Sequence, residues 1–341
     1  MKNLLSMLME LLQPNRISRL RRLVQAGFFL FILFAGWRFY LFFLWASGRS
    51  ADFVTRSPAI EGFLPIGALV SLKRLILTGN YDTIHPAGLT IFLAALAIGF
   101  FFRKGFCAWI CPIGFVSNLA EAVGKKLRVL VTPPVWLDYP LLSLKFLLLA
   151  FFTYIILWKM DLQAIEGFIA TPYNLVVDAK MLLFFLEPSF LSLWIMIFLV
   201  AVSFFIRNFW CRYLCPYGAL LGVLAFFGPV YVRRKPENCI DCHKCNRICP
   251  AAIKVSEKTT VRSPECIGCL ECVAVCPQKE CLNLTAVGSK NLPLITLPVA
   301  VVGLFLAFWL VAVLSGHWQS NAPPELLKAL YMSDLKAVAH P

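Results

Sequence analysis

Two successive cysteine runs of the form CxxCxxCxxxCP, in residues 239 to 276, constrain this chain more than any other feature of its sequence. In iron–sulfur proteins with two cubane clusters, this spacing lets each run give three thiolates to one cluster and its fourth thiolate to the other. The pattern therefore predicts an electron carrier with two [4Fe-4S] clusters. The predicted ligands of one cluster are Cys239, Cys242, Cys245 and Cys276, and those of the other are Cys266, Cys269, Cys272 and Cys249.

Residues 239 to 243 also spell CxxCH, the pattern that attaches a haem. A haem there would leave Cys245 and Cys249 without a role, whereas two cubanes use all eight thiols, so we interpret His243 as an exposed loop residue. The segment 231–291 is then predicted to be an inserted α+β domain of the bacterial two-cluster ferredoxin type. Cys281 lies outside both runs and is interpreted as a free thiol.

The remaining sequence has the composition of a membrane protein, because 60% of the 341 residues are apolar and 30 residues are Phe. A helix needs about 20 apolar residues to cross ~30 Å of hydrocarbon. Five apolar runs are near or above this length, and they predict a polytopic α-helical protein with about five transmembrane helices. The runs cover residues 26–45, 87–102, 141–158, 191–206 and 292–314.

Lys and Arg residues are distributed unequally between the segments that alternate along the five predicted spans. One set of segments (1–25, 103–140 and 207–291) contains 22 of them, and the other set contains eight. Positive residues are retained in the cytoplasm, which predicts a cytoplasmic amino terminus and ferredoxin domain, and a periplasmic tail at 315–341. All 13 cysteines lie in the predicted cytoplasmic segments, as reduced cluster ligands should. The net charge of +14 therefore reflects topology in a bacterial inner membrane, and no nucleic-acid partner is expected.

An internal duplication divides the membrane part of the chain. The pentapeptide Ala-Ile-Glu-Gly-Phe occurs at 59–63 and again at 164–168, and a CxxxCP motif follows each copy. The two pentapeptides are 105 residues apart, and the two CxxxCP motifs are 104 residues apart. We therefore predict two pseudo-symmetric half-domains, 26–130 and 131–230, each with two spans and a re-entrant segment between them. Repeats in the same orientation pack about an axis along the membrane normal, so their CxxxCP motifs would meet.

The two CxxxCP motifs together supply four thiols for one metal centre. A continued helix would place the two cysteines of each motif on one face, because residues i and i+4 share a face. Alternatively, the following proline begins a new helix, with the second cysteine at its N-cap, where the helix dipole favours thiolate. In either geometry we expect an iron–sulfur cluster first and Cu(I) second, in preference to four small buried residues without a metal. The four residues are Cys107, Cys111, Cys211 and Cys215.

Three ionisable residues are candidates for handling a quinone and its protons. Glu61 and Glu166 lie in the duplicated pentapeptides, and either accept protons from a quinol or serve an early helix turn. Arg38 lies well inside the first span and is expected to face a quinone oxygen or the other half-domain. His85 is either a proton relay or a residue that begins a helix, and Lys145, near the start of the third span, is expected to extend its amine to the membrane surface.

Two CxxxCP motifs at the membrane edge, followed by a two-cluster ferredoxin segment, resemble the NapH/NosR/CcoG group of membrane polyferredoxins over residues 26–280. The resemblance implies quinol oxidation for periplasmic nitrate reduction, electron supply and maturation in nitrous-oxide respiration, or copper reduction during assembly of a terminal oxidase. The nitrous-oxide type has a large outer domain before its first span and the oxidase-assembly type ends in a folded outer domain, whereas this chain has short segments at both positions. The likeness is therefore strongest to the short quinol-dehydrogenase type.

These observations favour a membrane-bound iron–sulfur subunit that links the quinone pool, or a periplasmic redox partner, to 4Fe-4S clusters on the cytoplasmic side. Its expected partners are membrane lipid, quinone and other redox subunits of a respiratory complex, either iron–sulfur proteins or cytochromes. The alternative is a copper-reducing or metal-centre assembly factor that uses the CxxxCP thiols.

Overall fold

The structure, a computed structural model, describes residues 17–288, 290–333, 335, 337 and 338. The first 16 residues, which belong to the predicted amino-terminal segment, lie outside this range. The chain forms two compact units, and each unit is assembled from three separated stretches. Unit 1 consists of Met1–Phe29, Ala95–Leu149 and Leu199–Phe305, and unit 2 consists of Leu30–Ala94, Ala150–Phe198 and Leu306–Pro341.

Most of the described residues are helical. A 3-10 turn at Pro58–Phe63 and π-helical turns at Ile155–Lys159 and Trp210–Leu214 interrupt or extend the α-helices. The α-helices are α1 (Ile17–Ala46), α2 (Pro65–Thr78), α3 (Pro86–Phe101), α4 (Gly105–Trp109), α5 (Pro112–Lys126), α6 (Val135–Tyr154), α7 (Leu162–Ile169), α8 (Pro172–Leu175), α9 (Val177–Leu186), α10 (Phe190–Phe205), α11 (Pro216–Phe227), α12 (Lys244–Ile248), α13 (Glu271–Ala274), α14 (Thr296–Leu314) and α15 (Pro324–Met332).

Helices occur at all five positions where the sequence predicts a span. Three of them are long and apolar enough to cross a bilayer: α1, α6 with its extension to Lys159, and α14. Helices α9 and α10 would make a fourth span if counted together, but they are bent by 76° at the break between them. Helix α3 has 16 residues, about 24 Å at 1.5 Å per residue. The described helices therefore support a membrane protein with three or four spans by length and composition, and the fifth span stays a prediction.

A four-stranded antiparallel sheet follows α11 in unit 1. Its strands are β1 (Tyr231–Arg234), β2 (Thr260–Val261), β3 (Leu282–Ala286) and β4 (Lys290–Leu292), in the order β2-β1-β3-β4. Val232 pairs with Val261 on one side and with Leu284 on the other, and all three side chains are buried. Together with the short helices α12 and α13, this sheet forms the α+β domain that the cysteine runs predict.

Two glycines in unit 1 lie against backbone carbonyl groups of neighbouring helices. A Cβ atom added to Gly124, in α5, would lie 2.2 Å from the carbonyl oxygen of Phe204, in α10. A Cβ atom added to Gly228, just after α11, would lie 2.2 Å from the carbonyl oxygen of Phe100, in α3. Both glycines and both phenylalanines are related by 104 residues, the offset of the CxxxCP motifs. The same close approach therefore occurs twice, with the roles of the two halves exchanged.

The core of unit 2 gathers around the carboxyl-terminal part of α1. Phe39 and Phe43 from this helix pack in one buried cluster with Ala179 of α9. Leu327 and Tyr331 of α15 belong to the same cluster. Helix α15, which lies in the predicted tail, is therefore packed into the core of unit 2.

Candidate iron–sulfur sites

Each CxxxCP motif ends one helical segment and begins the next. Cys111 and Cys215 are N-caps with extended backbone, and the prolines that follow them occupy the first turns of α5 and α11. The Cys215 Sγ accepts a hydrogen bond from the backbone N–H of Gly218 at 3.2 Å. Of the two geometries considered from the sequence, the structure adopts the second, in which the positive end of a helix dipole faces the sulfur.

The four thiols of these motifs lie close together in unit 1. Burial raises the pKa of Cys211, and the neighbouring thiols of Cys215, Cys111 and Cys107 raise it further. Burial likewise raises the pKa of Cys111 to about 11, with a further increase from Cys215. Four partly buried thiols this close together ionise with difficulty, and a metal centre would supply the compensating positive charge. We name these residues the CxxxCP set: Cys107, Cys111, Cys211 and Cys215.

Some of the eight ferredoxin-type cysteines neighbour one another as the two predicted groups require, and the assignment of all eight ligands stays a prediction. Burial raises the pKa of Cys272, and the next largest contributions come from the neighbouring Cys269, Cys266 and Cys249. In the other group, burial and the neighbouring Cys276 and Cys242 raise the pKa of Cys245. We name the groups the first ferredoxin set (Cys239, Cys242, Cys245 and Cys276) and the second ferredoxin set (Cys266, Cys269, Cys272 and Cys249).

Left-handed backbone shapes the two loops in the same way. Asp241 and His243 have positive φ angles of 48° and 54°, and Gly268 and Leu270 have φ angles of 67° and 61° at the equivalent places in the second loop. Such turns direct successive backbone N–H groups to one side, where they stabilise an anionic centre. His243 is exposed, and its Nδ1 lies 3.0 Å from the Ser256 hydroxyl.

The donor chemistry of the three sets fits iron–sulfur clusters. Among the described residues, no three His, Cys, Asp or Glu side chains converge as tightly as a single metal ion requires. A single zinc ion holds its thiolates at ~2.3 Å from one centre. In a cubane, by contrast, each of the four thiolates binds a different iron atom, so the ligands stand farther apart.

Cys281 lies inside the protein, beside the first ferredoxin set. The side chain is 2% exposed. Burial raises the pKa of this thiol to about 12, with further contributions from the neighbouring Cys276 and Cys239. The thiol is therefore not presented to solvent, and its interpretation as a free thiol stays a prediction.

A buried ion pair joins helix α6 to the second ferredoxin loop. The Lys145 Nζ donates to the two carboxylate oxygens of Glu265 at 2.6 and 2.7 Å, and the Lys145 side chain is fully buried. The Nζ of Lys104 lies 3.7 Å from the same carboxylate. The expectation that Lys145 extends to the membrane surface is therefore wrong. Sequence reasoning missed its partner, although Glu265 directly precedes Cys266 and was the one acidic residue next to that ligand.

Arg103 and Arg207, which are 104 residues apart like the two CxxxCP motifs, both contact the ferredoxin loops. Arg103, 1% exposed and left-handed with φ 61°, donates to the carbonyl oxygens of Ala225 and Ser263. Arg207 donates to the carbonyl oxygen of Arg247 at 3.0 Å, two residues before Cys249. The two CxxxCP regions therefore form a platform on which the ferredoxin domain is held.

In unit 2, Glu61 lies in a buried cluster of charged groups. The Glu61 side chain is 2% exposed, and its Oε2 accepts a hydrogen bond from the backbone N–H of Gly88 at 3.1 Å. Its Oε1 has no hydrogen bond and lies 3.4 Å from both Arg56 Nη2 and His85 Nδ1. The sequence placed Glu61 and His85 among the candidates, and the structure brings them together.

A second carboxylate completes this cluster. Asp178 accepts hydrogen bonds from Arg56 at 2.7 Å and from the Tyr331 hydroxyl at 2.9 Å. The Nε2 of His85 lies 2.7 Å from the carbonyl oxygen of Asn174. Burial lowers the pKa of His85, but the nearby Glu61 carboxylate, 3.4 Å from its Nδ1, raises it by more, so the pKa is raised overall. Arg56, Asp178 and Tyr331 were not identified from the sequence, because nothing local marks them.

Glu166 and Arg38 do not belong to this cluster. The Glu166 side chain is 43% exposed and pairs with Arg74 at 2.7 Å. Arg38 lies in the last third of α1 and donates to the Thr55 hydroxyl at 2.9 Å. The two identical pentapeptides also differ in structure, since the first forms the 3-10 turn Pro58–Phe63 and the second lies in α7.

Two protein families match the cysteine-bearing parts of the chain. A family described as a 4Fe-4S binding domain matches twice, at residues 84–129 and 188–235, and each match contains one CxxxCP motif. A family described as a 4Fe-4S dicluster domain matches residues 231–277, which contain all eight cysteines of the two ferredoxin sets. Cys281 lies outside this match.

Several named proteins are similar over much of the chain. YccM of Escherichia coli strain K12, whose name assigns it to electron transport, is 40% identical over 83% of this chain and 81% of its own length. NapH of Haemophilus influenzae, named a ferredoxin-type protein, is 28% identical over 49% of this chain and 55% of its own length. NirI of Paracoccus denitrificans is 30% identical over 56% of this chain and 28% of its own length. No solved structure matches. The chain therefore belongs to the NapH/NosR/CcoG-type family of membrane polyferredoxins.

Proposed function

We propose that this protein is a membrane-bound subunit that passes electrons between the quinone pool, or a periplasmic redox partner, and 4Fe-4S clusters on the cytoplasmic side of the inner membrane. An iron–sulfur electron-transfer role follows from the family and its 4Fe-4S domains. The observation that supports the proposal most is that all 13 cysteines lie in unit 1, and twelve of them belong to the three predicted four-thiol sets. Three one-electron centres in one unit suit a conduit within a respiratory complex.

The first and second ferredoxin sets would each hold one cubane, and the CxxxCP set would hold a third. A bound cubane accepts or donates one electron at a time, with its potential set by hydrogen bonds to sulfur and by solvent access. The chain supplies those controls through the backbone N–H groups at Gly218 and at Ile253, which donate to Cys215 and Cys249. Both matches to the 4Fe-4S binding domain include a CxxxCP motif, which favours iron–sulfur over Cu(I) at this set.

Oxidation of a quinol releases two electrons and two protons, so a quinol-linked protein needs a proton acceptor as well as electron carriers. Glu61 suits that role because its Oε1 is buried without a hydrogen bond, 3.4 Å from His85. Glu166 and Arg38 are weaker candidates for contacts to a quinone, since each is engaged by one partner near the surface. We assign proton acceptance to Glu61 and onward transfer to His85.

The repeat organisation and the orientation remain part of this proposal. The two family matches, at 84–129 and 188–235, and the reciprocal approaches of Gly124 and Gly228 support two related half-domains. The excess of Lys and Arg supports a cytoplasmic ferredoxin domain and a periplasmic α15. The predicted domain bounds, 26–130, 131–230, 231–291, 292–314 and 315–341, are retained.

The test measures cluster reduction by a short-chain quinol in anaerobic membranes that contain the protein. We expect bleaching of the iron–sulfur absorbance by quinol in the wild type and a large loss of its rate in Glu61→Gln, with iron content unchanged. The matched control is Glu166→Gln, the equivalent residue of the other pentapeptide, which should retain most of the rate. Clusters that ignore quinol but are reoxidised by Cu(II) would refute the proposal in favour of a metal-assembly factor.

A further inference from the structure

Trp109 connects the CxxxCP set to the second ferredoxin loop. It lies between Cys107 and Cys111 in the sequence and is fully buried. Its indole Nε1 donates a hydrogen bond to the carbonyl oxygen of Gly268 at 3.2 Å. Gly268 lies between Cys266 and Cys269. The first CxxxCP motif therefore contacts the loop that supplies three thiols of the second ferredoxin set.

Arg212 makes the corresponding connection from the other motif. It lies directly after Cys211, and its guanidinium donates to the carbonyl oxygen of Ala251, two residues after Cys249. Asp138 fixes the guanidinium by accepting two hydrogen bonds from Nη2, at 3.0 and 2.7 Å. The second motif therefore contacts the segment that supplies the fourth thiol of the same set. Both contacts reach the second ferredoxin set.

Two cations lie beside the CxxxCP set and are paired to the same loop. The charges of Lys104 and Lys145 lower the pKa of Cys107, against the larger effect of burial. Both amines pair with Glu265, the residue before Cys266. The ion pair thus bridges the surroundings of the CxxxCP set and the second ferredoxin loop.

The second ferredoxin set also neighbours the first. Helix α12, which carries Cys245 of the first set, packs against helix α13, which carries Cys272 of the second. The first set is carried on the more open loop, in which Ile240 is 57% exposed. The contacts of the described residues therefore order the sets as CxxxCP set, second ferredoxin set, first ferredoxin set.

We propose that the cluster of the second ferredoxin set is the relay between the CxxxCP centre and the cluster of the first ferredoxin set, and that Trp109 and Arg212 are the positioning residues that hold this contact. The proposal rests on the function proposed above, in that it takes all three sets to hold iron–sulfur clusters. In each step one electron leaves one cluster and enters its neighbour, so no bond is broken and no proton is required. The cluster of the first ferredoxin set is then the one that exchanges electrons with a soluble or docked partner.

The experiment is EPR spectroscopy of the purified full-length protein, reduced chemically under anaerobic conditions. Neighbouring reduced clusters broaden and split each other's signals, and this effect falls steeply with distance. In Cys239→Ser/Cys242→Ser, which removes the first cluster, we expect the two remaining centres to stay magnetically coupled. In Cys266→Ser/Cys269→Ser, which removes the second cluster, we expect the two remaining centres to give narrow, independent signals.

A second comparison tests the positioning role. Trp109→Phe keeps an aromatic ring but removes the donor to Gly268, and Trp136→Phe is the matched control because Trp136 is 75% exposed. We expect Trp109→Phe to keep the wild-type iron content while the coupling between the CxxxCP centre and the second cluster weakens severalfold, and Trp136→Phe to match the wild type.

Persistent coupling after removal of the second cluster would overturn the relay order. A Trp109→Phe spectrum identical to that of the wild type, at full iron content, would overturn the positioning role. Chemical reduction replaces quinol in this experiment, so its outcome is independent of whether quinol is the electron donor. Failure of the relay order is thereby distinguished from failure of the quinone link.

Discussion

Replacing Glu265 by Ala should loosen the second ferredoxin loop. The substitution removes the carboxylate that pairs with Lys145, which is fully buried, and with Lys104, which is 4% exposed. Breaking a buried pair by removing one partner costs ~3–5 kcal/mol, because the remaining charge is left without compensation. An exposed pair is worth only ~0.2–1 kcal/mol. Local opening of the loop should therefore become at least about a hundredfold more frequent, since ~1.4 kcal/mol corresponds to a factor of ten.

The assay follows iron release to a chelator from the purified protein under anaerobic, native conditions, where release requires opening of the loop. Glu257→Ala is the control, because Glu257 is 61% exposed and its ion pair among the described residues is with the exposed Lys254. We expect the iron fraction held by the second ferredoxin set to be released at least about a hundredfold faster in Glu265→Ala, as ~3 kcal/mol requires. The control should change less than about fivefold, as an exposed pair of ~1 kcal/mol implies.

A double substitution separates loss of the pair from loss of the loop itself. In Glu265→Leu/Lys145→Met both charges are replaced by apolar groups, and such replacements of a buried pair are often neutral or stabilising. The double variant should release iron much more slowly than Glu265→Ala. It should still release iron faster than the wild type, because Lys104 loses its carboxylate partner in both variants. If Glu265→Ala and Glu257→Ala release iron at the same rate, the reasoning about this ion pair is refuted.

Three further outcomes are expected. Changing all four cysteines of the CxxxCP set to Ser should remove about four iron atoms per chain, as one cubane requires; iron and sulfide analysis measures this, and an unchanged count would exclude a cluster there. Because the pKa of His85 is raised in the folded protein, its contribution to the free energy of unfolding is complete below about pH 6.5, the ordinary pKa of histidine. That contribution is lost as the pH rises through the pKa of His85 in the folded protein. Thermal unfolding should therefore show stability falling with pH in the wild type and a flatter profile in His85→Gln. Gly124→Ala should destabilise the protein because the added Cβ meets the Phe204 carbonyl oxygen. The added Cβ of Gly167→Ala meets nothing within 4 Å, so this variant should be stabilised by up to ~1 kcal/mol. Equal thermal stability of the two variants would contradict the close approach of Gly124 to Phe204.

The 4Fe-4S domains could be predicted from the sequence because a cubane fixes the spacing of its thiolates within a short loop. The helix starts at Cys111 and Cys215 were one of two expected geometries, and the rigid φ of the following prolines decides between them. Local patterns of this kind act over a few residues, and the structure follows them.

Contacts between distant parts of the chain could not be predicted in the same way. Lys145 and Glu265 are 120 residues apart, and the sequence around Lys145 does not indicate that its amine pairs with a carboxylate. The two identical pentapeptides show the limit most directly, because Glu61 is buried and Glu166 is half exposed. Their conformations depend on what packs around them, namely Arg56 and His85 in one case and Arg74 in the other.

The exchanged glycine contacts have a consequence for how such a protein can arise. Each half presents one glycine, Gly124 or Gly228, and one carbonyl group, that of Phe100 or Phe204, and each glycine receives the carbonyl of the opposite half. A half-length chain would carry both complementary features at once, so two copies could join about a dyad, with their cysteine pairs facing each other across it. Fusion of two such copies into one gene would then free each half to diverge, so that only one of them needs to keep a buried glutamate.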